Sequence, residues 1–329
     1  MSLREFALAL AAVATAGLHA SVTLAQSRAA AEGKPTFKVS RTSWGDPDLQ
    51  GIWDYRTITP LERRPEMGER KFYTDEEIAQ LEGRAAKRLD DTPDTTVQTN
   101  LVHADYLTDP GRHVDESRRT SLIAEPENGR IPPLTPEAQQ RQAETARAAS
   151  AAPGGGRVDS YLDRPLYERC ITRGFPIAIL PTLYNNNIRI LQSPGYVAIV
   201  HEMIHETRVV PLDGSAFTHI RSYMGESRGH WDGDTLVVET RNLNGRPRFR
   251  GAGENLVTIE RYTKVAPDKI DFKLTLEDDT QWTQPWTVAY YMRPAEGELY
   301  EYACHEGNYG LRNILEEARD AEKAGAAAP

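Results

Sequence analysis

Ile270-Asp271-Phe272-Lys273-Leu274-Thr275-Leu276 alternates apolar and polar side chains at every position, the period-two pattern of a strand with one dry and one wet face. The run before it, Leu256 to Val265, reaches it through Ala266-Pro267-Asp268-Lys269, residues suited to a tight turn, so the two make an antiparallel hairpin. Similar β-rich runs are Ile188–Gln192, Tyr196–Met203, Thr207–Pro211, Thr235–Thr240, Trp286–Met292 and Leu299–His305, with Asp232-Gly233 supplying a turn after Trp231. The spacing predicts a mainly β protein, an antiparallel meander of about eight strands closed as a barrel or folded as a sandwich.

Three helices are expected around this sheet. Thr74 can cap the first while Glu77 reaches back, and it should run to Leu89. Thr135-Pro136-Glu137 starts a second that ends near Ala149, and Asn308 is a suitable cap for a third from Tyr309 to Lys323. Between Asp90 and Arg164 apolar periodicity is poor and Pro, Arg, Ala and Asp are frequent, ending in Ala152-Pro153-Gly154-Gly155-Gly156. The organisation expected is therefore an N-terminal arm over residues 26–165, lying partly flexible over a β-barrel-like domain of residues 166–329. Gly51-Ile52-Trp53 near the start of the arm resembles the opening strand of lipocalin-like barrels, which implies a Trp plugging one end; an ordinary buried Trp is the alternative.

Arg4, the apolar stretch from Phe6 to Leu24 and the small residue Ala25 read as a signal peptide cleaved after residue 25. Thr15, Gly17, His19, Ser21 and Thr23 weaken that stretch as a membrane anchor, so a soluble periplasmic or secreted protein without an anchor is expected. The two cysteines, Cys170 and Cys304, would pair in an oxidising compartment; the alternative is two buried thiols. Asp and Glu number 48 against 39 Lys and Arg, a formal charge of -9 with the cations scattered, which argues against a nucleic-acid partner.

Arg118-Arg119-Thr120-Ser121-Leu122-Ile123, Gly129 to Thr135, Tyr184-Asn185-Asn186-Asn187, Pro211-Leu212-Asp213-Gly214, Gly229 to Thr240 and Tyr300 to Gly310 resemble motifs of a large family of secreted bacterial proteins. The resemblance spans Trp44 to Glu322 and implies an exported lineage without implying an activity. After Leu-Asp-Gly that family continues Arg-Pro-His, where this chain has Ser215-Ala216-Phe217, with His219 two positions on.

His201-Glu202-Met203-Ile204-His205 spells a zinc-protease motif, whose chemistry needs a helix to bring both His to one metal. The flanking β-branched residues predict a strand, on which positions four apart stand roughly 13 Å from each other. As a strand the segment places Glu202, Glu206 and Arg208 on an inward-looking face, either serving a ligand or paired with one another. His305 and Glu306 sit between a strand and a helix beside Cys304, a placement that suits a general base with its orienting carboxylate, or a helix start carrying a surface His. Among Trp282, Trp286, Tyr290, Tyr291, Tyr300 and Tyr302, Trp286 is expected in the core, while Tyr290, Tyr300 and Tyr302, with Arg261, are candidate ligand contacts. Gly225-Glu226-Ser227-Arg228-Gly229 fits the nucleophile-elbow letters but lacks the following helix, so a turn is expected there. No Gly-rich phosphate loop, Cys-x-x-Cys pair or haem attachment pattern occurs, so no cofactor is indicated; a metal would need ligands from different strands.

Two functions remain. One is a small-molecule enzyme of lyase, isomerase or hydrolase type using Glu202, His205, Arg208, His305 and Glu306; both Glu202 and His205 could serve one pocket only if a strand end or bulge lies between them. The other is a ligand-binding protein without turnover. A surface scaffold would instead show an exposed apolar patch.

Overall fold

Residues 37–90, 109–151 and 158–325 are described by the structure, a computed structural model. The expected signal peptide lies outside them. Ten strands form one antiparallel sheet: β1 (Gly51–Asp54), β2 (Ile123–Glu125), β3 (Asn187–Ser193), β4 (Tyr196–His201), β5 (Thr207–Pro211), β6 (Glu226–Asp232), β7 (Thr235–Arg241), β8 (Val257–Ala266), β9 (Lys269–Glu277) and β10 (Trp286–Pro294). Their order is β5-β4-β3-β1-β10-β9-β8-β7-β6, with β2 paired to β10 off this path. The two end strands, β5 and β6, come side by side, so the sheet is a nearly closed barrel.

The alternation that identifies β9 also sets its facing: Ile270, Phe272, Leu274 and Leu276 are all fully buried. The same period turns Ile188 and Ile190 of β3, Val197 and Ile199 of β4, and Val288, Tyr290 and Met292 of β10 into the core. β8 and β9 meet through the turn at Ala266–Lys269, and Gly233 makes the turn between β6 and β7 at φ 61°. Trp53 is buried, its indole donating to the Leu49 carbonyl at 2.9 Å. Trp282 and Trp286 pack edge to face at 5.3 Å inside the same core.

Several expectations are corrected. The region 26–165 is more than an arm: β1 is a stave of the barrel, hydrogen-bonded to β3 on one side and β10 on the other, and Ile123 of β2 is fully buried. Residues 225–229 form a turn only at Gly225, φ 72°; from Glu226 the chain is strand, with Ser227 facing inward. Gly229 is needed there because a Cβ would stand 2.8 Å from the Val210 and Leu212 side chains, where β5 approaches β6. Leu299–His305 is not a strand; the disulfide and Asn308 hold this region against residues 168–170 instead.

Among the described residues there are three α-helices, α1 (Asp75–Asp90), α2 (Pro136–Ala151) and α3 (Gly310–Lys323). The reciprocal cap of α1 is present, Thr74 N to Glu77 Oε2 at 2.9 Å and Glu77 N to Thr74 Oγ1 at 3.2 Å. Thr135 caps α2 by accepting from Ala138 N. Asn308 does not cap α3: its Nδ2 donates to the Glu168 carbonyl and the helix begins after Tyr309 without a side-chain cap. No helix among the described residues is long and apolar enough to cross a membrane.

Candidate functional site

The barrel interior is filled by its own chain. Phe175 to Leu180, including a 3-10 turn at Ile177–Ile179, enters from one end and buries Phe175, Ala178, Ile179 and Leu180. Its carbonyls are held by side chains of the wall: Ala178 O accepts from Tyr55 Oη at 3.0 Å and from His201 Nδ1 at 2.9 Å, and Ile179 O accepts from Tyr290 Oη.

Against this plug lies a buried polar network. Arg208 of β5 makes a two-pronged ion pair with Glu260 of β8, Nη1 to Oε2 at 2.6 Å and Nη2 to Oε1 at 2.8 Å. Tyr262 Oη donates to the same carboxylate at 2.6 Å, Thr240 Oγ1 accepts from Arg208 Nη1, and the guanidinium lies 4.1 Å over the Phe175 ring. Arg208 Nε donates to His201 Nε2 at 3.3 Å. Since Nε2 accepts, the proton of His201 sits on Nδ1 and the ring is neutral. Burial first, and the Arg208 charge second, push the imidazole down to about 3. An unfolded His takes up its proton at about pH 6.5, so below that value the unfolded state binds more protons and stability rises with pH. The expected result is full stability above that value and a progressive loss as pH falls towards the folded-state value. His201→Gln should flatten the slope just above the carboxylate range in denaturation midpoints taken across pH; an unchanged slope would remove His201 as its source.

These contacts decide where the candidate residues stand. The inward row of β4 is Val197, Ile199 and His201, so Glu202 lies past the strand end. There the backbone turns through residues 203–205, with Ile204 at φ 57°, and His201 N donates to Glu206 O at 2.8 Å. The motif is thus a strand end and a tight turn, not the helix a zinc protease needs. Glu202 is half-buried and accepts from Asn187 Nδ2 at 2.9 Å; burial first, and Glu202 second, raise the Tyr55 hydroxyl above its ordinary range. The His205 side chain is outside the described residues. Arg208 and Tyr290 are core residues, not ligand contacts, because the ion pair and the plug occupy their polar atoms. Arg261 points out of the barrel to Asp232, and Tyr300, His305 and His219 are exposed. Glu306 and Tyr302 border a hollow of about 490 Å³ beside the Cys170–Cys304 disulfide. The described candidate residues are therefore not gathered into one cavity. Among the described residues no three His, Cys, Asp or Glu side chains are grouped to hold a metal ion.

A groove of about 850 Å³ lies outside the barrel wall. One side is α1, which presents Leu81, Arg84, Ala85 and Arg88 at the i, i+3, i+4, i+7 spacing of one helix face. The floor comes from Ile58 to Leu61 and Leu122, and the far side from Leu180 to Tyr184, Tyr167 and Arg173. Tyr167 and Tyr184 touch through their hydroxyls, and the Arg173 guanidinium lies 4.4 Å over the Tyr167 ring. Neither a carboxylate nor an imidazole lines the groove among the described residues. Its separate segments carry no shared sequence pattern beyond the i, i+3, i+4, i+7 face of α1.

Comparison with family models, with curated proteins and with solved structures finds no match to this chain.

Proposed function

We propose that this protein is an exported, non-catalytic binder of a small organic molecule, and that the ligand lies in the groove between α1 and the Leu180–Tyr184 run rather than inside the barrel. The observation that carries this reading is the groove itself, about 850 Å³ with a mixed lining of leucines, tyrosines and arginines, within the size range of small-molecule sites. The barrel interior is taken up by Phe175–Leu180 and the Arg208–Glu260 pair. The acid–base side chains used most often in catalysis are imidazoles and carboxylates, and the described lining contains neither. Export is supported by the Cys170–Cys304 bridge, by the N-terminal leader pattern and by the resemblance to secreted bacterial proteins.

Native mass spectrometry of the mature protein purified from the periplasm should show a bound small molecule. Leu81→Gln, which replaces an apolar side chain of the lining with an amide, should weaken binding roughly tenfold while the thermal midpoint hardly moves. Binding unaffected by Leu81→Gln would place the ligand elsewhere. The acid–base reading rests on Glu202, held by Asn187 beside Tyr55; it requires a turnover that Glu202→Gln abolishes.

A further inference from the structure

We infer that the ligand of the groove is an organic carboxylate on an apolar body, and that Arg173 reads its charge; this rests on the groove being the binding site. Arg64, Arg84, Arg88 and Arg173 all line it. Several arginines outside the groove are neutralised by carboxylates, among them Arg56 by Asp54, Arg164 by Glu168 and Arg208 by Glu260. Among the described residues the four groove arginines hold no such partner, although the protein as a whole carries a charge of -9. A cluster of one sign against an opposite background concentrates ligands of the complementary charge.

Arg173 is the most constrained of the four. It is half-buried, its guanidinium carbon lies 4.4 Å from the centre of the Tyr167 ring, and its Nε is buried without a hydrogen-bond partner. Arg228 and Arg319 also bury an unpaired Nε, but their guanidinium groups already hold Glu226 and Glu322, whereas Arg173 has no carboxylate on its guanidinium among the described residues and so has charge and donor capacity to spare. A guanidinium fork oriented by an aromatic face matches the two oxygens of a carboxylate, and the neighbouring Leu61, Leu81 and Leu180 suit a hydrocarbon body.

The test is calorimetric titration of the full mature protein with a panel of aromatic and medium-chain aliphatic carboxylates, each beside its neutral primary amide. The expected result is binding of acids at least roughly tenfold tighter than of their amides, with the preference weakened by salt. Arg173→Gln should bring acid and amide together, and Arg84→Gln, on the exposed helix face, should narrow the gap without touching the fold. Leu81→Gln should weaken both series alike. Amides binding as tightly as acids would overturn the charge assignment and leave the groove intact as a site; binding by neither series would overturn the groove reading and the charge assignment together.

Discussion

Glu260→Ala should lower the unfolding free energy by about 3–5 kcal/mol, more than a surface carboxylate could. Glu260 is fully buried and Arg208 nearly so, with side-chain exposures of 0% and 3%. Each charge is tolerated because the other stands at hydrogen-bond distance. Removing the carboxylate leaves a guanidinium inside the barrel beside a neutral imidazole that cannot compensate it, and takes the acceptor from Tyr262. The control is the double variant Arg208→Met with Glu260→Leu, which removes both charges and should recover most of the loss. Urea denaturation of the wild type, the single variant and the double variant gives the comparison. A single variant within about 1 kcal/mol of wild type would mean that the pair is solvated and the interior wet.

Breaking the Cys170–Cys304 bridge, by Cys170→Ser with Cys304→Ser or by reductant, should cost about 2–5 kcal/mol. The bridge ties positions 134 apart, and the region it anchors has few other ties. Around it are Asn308 on the Glu168 carbonyl and Arg319 on the carbonyls of Val158 and Asp159. Residues 299–309 belong to no strand or helix, so limited proteolysis should cut there first once the bridge is open. Tyr167 and Arg173 flank Cys170 and line the groove, so the reduced protein should also bind its ligand more weakly. Equal thermal midpoints with and without reductant would show that the loops dock by packing alone.

How much of this is readable in the sequence depends on which forces leave a periodic trace. β8 and β9 are readable because one face of each meets water and the other does not. β1 has four residues and β2 three, too few to establish a period, which is why the region before residue 165 reads as an arm. Gly229 reads as part of a turn, yet it serves a close approach between β5 and β6. Arg208 is correctly found to point inward, but its partner 52 residues away cannot be named from alternation, because which strands face each other across a barrel is a matter of closure. Glu202 is expected on the same inward face as Arg208 because the segment reads as one continuous strand. Instead, β4 ends at His201 and the turn at residues 203–205 shifts the alternation, so that Val197, Ile199 and His201 face inward before it and Arg208 and Val210 after it. The groove leaves least trace, since its arginines come from separate segments and read as scattered charge.

The position of β1 has a consequence for assembly. The hairpins β3 to β5 and the meander β6 to β10 are each built from neighbours in sequence, and β1, from more than a hundred residues earlier, is the stave that links β3 to β10. Local pairings of this kind form early and distant ones late, so the wall is completed by inserting an amino-terminal strand between two halves already made. The barrel is in that sense a two-part object closed by a clasp, and a chain lacking the segment around Gly51–Asp54 would present a slot shaped for that same segment supplied as a separate peptide.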